Sequence, residues 1–345
     1  MASPDSLERR LQRAWLARRP LAVALLPLSW LFAALTAVRR GLYGLGLLRA
    51  QRVGVPVLVV GNLIAGGAGK TPTTLALLGL LRRHGWRPGV VSRGHGRATT
   101  GIVHVDAGTP AAQAGDEPLL LHLRGGVPVC VGEDRVAAAR ALRQRHPDVD
   151  ILVCDDGLQH LRLARDAQVI VFDERGAGNG WRLPAGPLRD PMPDRIPPRS
   201  VVLYNAAAPS TPLPGHLAHR GLAGAVSLLD WWHGVPPQAG TLAALRGRPV
   251  LASAGLAQPA RFFAMLREQG LDIVEHPLSD HHDYAGLDWP GGTADVILTE
   301  KDAVKIRPER AGAVRVWVAA LDFRLPAAFE QDLLALLPRR PPQPD

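Results

Sequence analysis

Lysine, cysteine and aromatic residues are all scarce in this chain of 345 residues. The only two cysteines, Cys130 and Cys154, lie inside apolar runs and lack zinc-binding spacing, so neither a zinc site nor an oxidising compartment is indicated. Aromatic residues make up 5% of the chain, which leaves little material for stacking nucleic-acid bases. The composition therefore argues against a disulfide-rich secreted domain and against a nucleic-acid partner.

The net charge of +9 is concentrated in the first part of the chain. Residues 1–52 carry +7 of it, and the remainder is close to neutral. Arginines flank an uncharged run over residues 20–38, which as a helix would be roughly 28 Å long, close to the ~30 Å hydrocarbon core of a bilayer. An amphipathic, arginine-rich stretch precedes it. Membrane lipids are the partner that this pattern favours.

Three interpretations of this segment remain open: an uncleaved membrane helix, a buried helical hairpin and a cleaved signal peptide. The nucleotide site described below argues against export, so we prefer a membrane anchor within residues 1–45. Pro27 is expected to kink the helix. Arginines at both ends are compatible with a helix that spans the membrane and with one that lies in a single leaflet.

From Val53 onward, short apolar runs alternate with helical stretches, the pattern of an α/β protein. Runs without polar alternation predict parallel strands that are covered on both faces. We therefore expect a P-loop NTPase-like parallel sheet core over residues 46–240 and a second, smaller α/β lobe over residues 241–345. Residues 184–198 contain six prolines and are expected to be irregular.

A glycine-rich loop follows the first predicted strand and precedes a helix. Its backbone N–H groups, Lys70 and the Thr71 hydroxyl form the combination that binds nucleotide phosphates and Mg²⁺. Lysine at position 70 is informative because only three of the 40 basic residues are lysines, and a compact ammonium suits a phosphate. The strict P-loop pattern fails at its first position, where Ile64 replaces glycine. The predicted ATP-binding residues are Gly66, Gly67, Ala68, Gly69, Lys70 and Thr71.

An acidic pair, Asp155 and Asp156, follows the apolar run 151–154. A P-loop needs a carboxylate for Mg²⁺ at the end of a nearby strand. Adjacent residues of a strand point to opposite faces, so only one of the two is expected to reach the metal directly. A turn-forming Asp-Asp-Gly sequence is the alternative.

Several sequence blocks together resemble the tetraacyldisaccharide 4′-kinases of lipid A synthesis. The resemblance covers roughly residues 15–325 and is carried by the blocks GNLIAGGAGKTP, SRGHGR, GDEPLLL, DDGLQH, LPAGPLRDP, SDHHDY and TEKDAVK. It implies transfer of the γ-phosphate of ATP to the 4′-hydroxyl of an acylated disaccharide 1-phosphate, at the cytoplasmic face of the inner membrane. No obligate protein partner is evident.

The resemblance also implies catalytic residues. In that family an aspartate and a histidine act together on the sugar hydroxyl, and Asp116 and His281 match them here. A histidine oriented by a carboxylate is a sensible activator of a hydroxyl. Taken alone, the run 280–283 could suggest a metal site, but such a run is more often a solvated loop. Glu117 is expected to assist the Mg²⁺ shell, the alternative being a charge at a helix N-terminus.

Three arginines in loops, Arg93, Arg135 and Arg189, are candidates for binding substrate phosphates, although each could be an ordinary surface arginine. Lys301 and Lys305 are expected to have a nucleotide or interdomain role. The chain departs from the family pattern at His95, where tyrosine is usual, and at Asp190, where glutamate is usual. These departures leave the P-loop and the acidic pair unchanged.

Two other classes compete with a kinase. Partition and metal-insertion ATPases have a similar G-G-x-G-K-T loop, but residues 62–65 lack the extra lysine that they often carry. A non-enzymatic membrane tether would not explain the P-loop, the acidic pair and the Asp116 and His281 blocks. A membrane-associated switch or assembly ATPase is therefore the main alternative.

Overall fold

The structure, a computed structural model, describes residues 7–287 and 289–340. Its thirteen described strands are β1 (Val57–Gly61), β2 (Pro88–Ser92), β3 (Val103–Val105), β4 (Val129–Val131), β5 (Ile151–Asp155), β6 (Ala167–Phe172), β7 (Ser200–Tyr204), β8 (His216–Leu217), β9 (His219–Ser227), β10 (Pro249–Ala254), β11 (Asp272–Pro277), β12 (Asp295–Thr299) and β13 (Arg315–Arg324).

The described α-helices are α1 (Leu7–Leu16), α2 (Pro20–Ala24), α3 (Leu26–Gly44), α4 (Lys70–Arg83), α5 (Ala111–Ala114), α6 (Asp116–Gly125), α7 (Arg135–Arg145), α8 (Leu228–Trp232), α9 (Ala239–Ala244), α10 (Pro259–Glu268), α11 (Glu300–Ala303) and α12 (Ala327–Leu336). A 3₁₀ turn spans Pro308–Ala311.

Eight strands form the sheet of the first lobe, in the order β3-β4-β2-β5-β1-β6-β7-β8. All pairings in it are parallel except that of β3 with β4. β1 and β5 are buried along their whole length, as their uninterrupted apolar sequences predict. Because Val60 lies beside Asp155 in the register, the ends of these two strands are adjacent. The P-loop and the acidic pair therefore leave the sheet at the same edge, where open α/β sheets bind ligands.

Five strands form the second sheet, in the order β11-β10-β12-β13-β9. Only β9 runs antiparallel, along β13. The predicted α/β fold with a parallel sheet core is thus confirmed. β9 lies before residue 240 yet belongs to this second sheet, where it pairs with β13. At the other end of the chain, α12 returns to the first lobe, where Glu330 pairs with Arg83.

Of the three helices at the N-terminus, α1 and α3 pack against the loop over residues 175–190. Trp15 Nε1 donates to the carbonyl of Pro184 (2.9 Å), and Ser29 Oγ donates to that of Arg182 (2.8 Å). The uncharged run is not one helix, because α2 ends at Ala24 and α3 begins at Leu26, with proline in its first turn. Within the described residues, no helix is both long and apolar enough to cross a membrane, so the predicted membrane-spanning helix is not supported.

Candidate active site

The P-loop connects the buried end of β1 at Gly61 to the start of α4 at Lys70. Gly66 and Gly69 both have a positive φ, 88° and 83°. This left-handed backbone conformation is rarely adopted by residues with a side chain. At Gly69 a Cβ atom would also lie 2.0 Å from Asn205 Nδ2, so glycine is required there for space as well as for conformation.

Three side chains hold the carbonyl groups of the loop, so its N–H groups stay available for an anion. Asn62 Nδ2 donates to the carbonyl of Gly66 (3.0 Å), and Asn205 Nδ2 donates to that of Ala68 (3.3 Å). Arg175 donates to the carbonyl of Gly67 (2.7 Å) and is itself paired with Asp173. The loop is therefore pre-organised in a phosphate-binding conformation.

Lys70 lies at the N-terminus of α4 with its side chain 11% exposed. Its Nζ is 3.3 Å from Asn62 Oδ1 and 3.7 Å from Asp156 Oδ1. These two oxygens orient the ammonium over the P-loop. Thr71 follows in the first turn of the helix and lines the same cavity as Lys70.

The two carboxylates of the acidic pair have different environments. Asp155 is buried, and its Oδ1 accepts a hydrogen bond from Thr74 (2.9 Å), whereas its Oδ2 has no hydrogen-bond partner. Burial, together with the charges of Glu117 and Asp156, raises the pKa of Asp155 to about 7. A buried carboxylate oxygen with a missing partner, beside two further carboxylates, is what a cation would stabilise.

Asp156 instead pairs with arginine. It has a φ of 50°, and its two oxygens accept from Arg189 at 2.6 and 3.1 Å. Burial opposes ionisation, but Lys70 and Arg189 lower the pKa of Asp156 to about 2. Arg189 also donates to the carbonyl and the side chain of Asn62. Arg189 therefore connects the acidic pair to the P-loop.

Asp116 and His281 come from different lobes and meet directly. Asp116 is the first residue of α6, and His281 lies in the loop after β11 with a φ of 58°. Asp116 Oδ2 and His281 Nδ1 are 2.9 Å apart. The hydrogen bond to Asp116 raises the pKa of His281. Although burial opposes it, this bond and the nearby lysines lower the pKa of Asp116 to about 2. The pair has the arrangement of an oriented general base.

Close backbone contact between two loops brings Asp116 into place. A Cβ atom on Gly115 would lie 3.2 Å from Gly94 Cα, and one on Gly94 would lie 2.7 Å from the carbonyl oxygen of Ala114. Two glycines with positive φ are thus needed where these loops touch. The same contact places the ring of His95 edge-to-face against His281, with centroids 5.8 Å apart.

A cavity of about 490 Å³ lies between the two lobes. It is lined on one side by the P-loop, including Lys70 and Thr71, and on the other by Glu117, Asp280 and Lys301. Glu117 Oε1 is 3.4 Å from Lys301 Nζ. Among the described residues, no group of three or more histidine, cysteine, aspartate or glutamate side chains is placed to hold a metal ion by itself. Mg²⁺ in nucleotide sites is typically held by one or two carboxylates together with phosphates and water.

A second cavity, of about 620 Å³, lies between α3 and the proline-rich loop. Arg93 and Arg189 both line it, together with Arg39, Arg40 and Arg165. Arg135 lines neither cavity: it is buried and donates to the carbonyls of Gly132 and Glu133. The three arginines predicted to bind substrate are therefore not in one place.

Comparison with known proteins identifies this arrangement. The Tetraacyldisaccharide-1-P 4′-kinase family model matches residues 21–338. A Tetraacyldisaccharide 4′-kinase of Methylibium petroleiphilum is 58% identical over 344 residues, covering 97% of this chain and 96% of the relative. One from Leptothrix cholodnii is 56% identical, covering 98% of each chain. The chain belongs to this kinase family.

The crystal structure of LpxK from Aquifex aeolicus in complex with ATP has the same fold. Its TM-score is 0.74 at 26% identity, and the match covers 92% of this chain and 99% of that one. The family assignment favours a 4′-kinase over the switch ATPase considered for the P-loop. Both residues that depart from the family pattern make contacts in the structure. His95 packs on His281, and Asp190 pairs with Arg40 (3.1 Å).

Other residues of this 4′-kinase site were not singled out from the sequence. Asn205 and Arg175 support the P-loop from segments without a recognisable nucleotide motif, and Asn62 supports it from within the P-loop block itself. Lys301 and Lys305, for which only a general role was expected, both approach the Asp116–His281 pair. The rarity of lysine could have indicated that these residues are functional, because all three lysines of the chain lie at this site.

Proposed function

We propose that this chain transfers the γ-phosphate of ATP to the 4′-hydroxyl of an acylated disaccharide 1-phosphate, a step of lipid A synthesis. The observation that carries the proposal is the cavity between the lobes. The P-loop lines one side of it, and the immediate neighbours of Asp116 and His281 line the other. ATP bound at the P-loop would direct its γ-phosphate towards the lobe that supplies the base.

In the proposed reaction the 4′-oxygen forms a bond to the γ-phosphorus while the bond from that phosphorus to the β–γ bridging oxygen breaks. The hydroxyl proton passes to His281, and ADP leaves with the bridging oxygen. Asp116 holds the Nδ1 edge of the imidazole at 2.9 Å and stabilises the imidazolium that forms. Lys70 and the P-loop N–H groups stabilise charge on the phosphates.

Mg²⁺ fits the residues beside the P-loop. Asp155 has a buried oxygen without a partner, and burial beside the charges of Glu117 and Asp156 raises its pKa to about 7. Asp155 and the Thr71 hydroxyl would hold the ion, and the negative charges of Glu117 and Asp156 would favour a cation there. Bound there, Mg²⁺ would neutralise phosphate charge and orient the β- and γ-phosphates.

The acceptor is proposed to occupy the cavity beside α3. Its five lining arginines suit a phosphorylated sugar, and guanidinium groups bind phosphate oxygens in pairs. Arg93 and Arg189 belong to this set. Arg135 lies outside it, and its charge would act on Asp155 and Asp156 instead. Phe32 lines the cavity on the α3 side, where acyl chains would leave it.

The exposed face of α3 is proposed to contact the inner membrane from its cytoplasmic side. Trp30, Leu31, Leu35 and Val38 are all more than half exposed, which is unusual for a cluster of large apolar side chains. Arg39 and Arg40 follow directly, where they would meet lipid phosphates. Sedimentation with anionic vesicles should fall sharply for Trp30→Ser/Leu31→Ser, whereas equal sedimentation of the variant and wild type would contradict this attachment.

Transfer of label from γ-³²P-ATP to a tetraacylated disaccharide 1-phosphate in detergent micelles tests the activity. Label on the lipid is expected with Mg²⁺ and should disappear when the cation is removed with EDTA. ATP hydrolysis without labelled lipid would reject the kinase and support the switch ATPase. Undiminished transfer after EDTA treatment would reject the proposed metal requirement alone.

A further inference from the structure

Lys301 has three partners, one for each proton of its ammonium group. Its Nζ lies 3.1 Å from Asp280 Oδ1, 3.4 Å from Glu117 Oε1 and 3.4 Å from His281 Nε2. The side chain is only 17% exposed, so these contacts are partly shielded from water. A lysine placed in this way is occupied by protein groups rather than free to capture a phosphate from solution.

The contact with His281 determines which imidazole nitrogen carries the proton. An ammonium can only donate hydrogen bonds, so the Nε2 atom that faces it must be the acceptor. The proton of the neutral ring then belongs on Nδ1, from which it is donated to Asp116 at 2.9 Å. Lys301 and Asp116 therefore favour the same tautomer from opposite edges of the ring.

The Nε2 edge also faces two residues that line the cavity between the lobes. Lys301 and Asp280 line the cavity between the lobes, and both lie within 3.9 Å of His281 Nε2. A hydroxyl group that approaches the γ-phosphate would replace Lys301 as the donor to the Nε2 lone pair, while Lys301 keeps its contacts with Asp280 and Glu117. A proton there would make His281 useless as a base.

Lys305 has a different role on the other side of the pair. Its Nζ is 3.7 Å from Asp116 Oδ2 and 3.3 Å from Asp302 Oδ1, and the side chain is 7% exposed. Asp302 in turn accepts from the backbone N–H of Gly255 and from the Thr299 hydroxyl. Lys305 thus fixes the carboxylate to the framework of the second lobe, whereas Lys301 touches the imidazole itself.

We propose that Lys301 is a positioning residue that sets the tautomer and orientation of His281, keeping the Nε2 lone pair on the nucleotide side. The inference rests on the proposed kinase reaction, in which His281 accepts the hydroxyl proton. The positive charge of Lys301 has a second effect. It lowers the pKa of His281, whereas Asp116 raises that pKa. The groups that face His281 from the surrounding elements are Asp116, Asp280, Lys301 and His95.

Three substitutions separate positioning from charge. Lys301→Met removes both the donor and the charge, Lys301→Gln keeps a donor without charge, and Lys301→Arg keeps the charge. Label transfer to the lipid is measured against pH, with kcat and the KM for ATP determined separately. Arg267→Met is the matched control, because it removes an exposed cation paired with Glu275 in the same lobe.

We expect Lys301→Met to lower kcat about 100-fold with little change in the KM for ATP, as for loss of a positioned acid–base group. The acidic limb of its pH profile should move to higher pH. Lys301→Gln should show the same shift with a smaller loss of kcat, and Lys301→Arg should show no shift. If Lys301→Met does not unfold cooperatively, the test of the proposal is the shift of the acidic limb in Lys301→Gln.

Two results would overturn the proposal. An unchanged kcat and pH profile would make Lys301 a structural ion-pair residue, and a raised KM for ATP with normal kcat would make it a nucleotide-binding cation. If wild type labels no lipid, the proposed function fails before any variant is compared. If wild type labels lipid and Lys301→Met is unaffected, only the role of Lys301 fails.

Discussion

Lys70→Ala should abolish phosphoryl transfer almost completely, with kcat/KM lowered by about three orders of magnitude or more, as expected for loss of a charged group that stabilises the transferring phosphoryl. The loss of the ammonium also leaves Asp156 with Arg189 as its remaining direct cationic partner in the described site. Initial rates of label transfer at saturating lipid measure the effect. A variant that retains more than a tenth of the wild-type rate would contradict the proposed phosphate site.

Lys70→Arg provides the matched control, since it keeps the charge and changes only the shape. The Lys70 ammonium fits between Asn62 Oδ1 at 3.3 Å and Asp156 Oδ1 at 3.7 Å, which leaves little space for a planar guanidinium. We expect Lys70→Arg to be nearly as inactive as Lys70→Ala while melting at a temperature close to that of wild type. Full activity would mean that charge alone is required at this position.

Sequence patterns predicted the first lobe well because its strands are short, apolar and buried on both faces. β1 and β5 are buried at every position, and no competing pattern obscures them. β9 was missed because its glycines and alanines have low β-propensity and its pairing with β13 depends on a distant segment. β11 lies at a sheet edge and is mostly exposed, so its sequence lacks a strong apolar signal.

The N-terminal segment shows a different limit of sequence analysis. An uncharged run of suitable length predicted a membrane helix, but the helix is interrupted at Leu25, and α3 is bound to the loop that follows β6. Composition alone does not reveal such contacts. Hydrogen bonds from Ser29 and to Thr36 fix the segment beside the second cavity, where its apolar face remains exposed.

The candidate site was predictable where its residues are contiguous. The P-loop and the acidic pair each follow a strand, so their positions follow from the strand order. Asp116 and His281 are separated by 165 residues, and no local pattern brings them together. Only the family resemblance placed them in one site. The loop-supporting residues Asn205 and Arg175 depend on tertiary contacts in the same way.

The pH dependence of the reaction should identify the proton acceptor. Because Asp116 raises the pKa of His281 above its ordinary value of about 6.5, activity should fall as the pH drops through that raised value. Asp116, with a pKa of about 2, stays ionised over the whole measured range and adds no limb of its own. The two groups interact, so the limb belongs to the pair as a unit. The kcat/KM profile between pH 5 and 9 measures it.

Two variants assign the roles within the pair. His281→Gln should lower kcat about 10²–10⁴-fold, the usual contribution of a general base, and should lose the acidic limb. Asp116→Asn should also lose activity, but its limb should move to lower pH because the carboxylate that raises the pKa of His281 is gone. The expected activities of the two variants are reversed if Asp116 accepts the proton itself. Asp116→Asn would then be inactive at every pH, while His281→Gln would retain most of its activity. Retention by His281→Gln would therefore transfer the role of base to Asp116 and leave His281 as the residue that orients it.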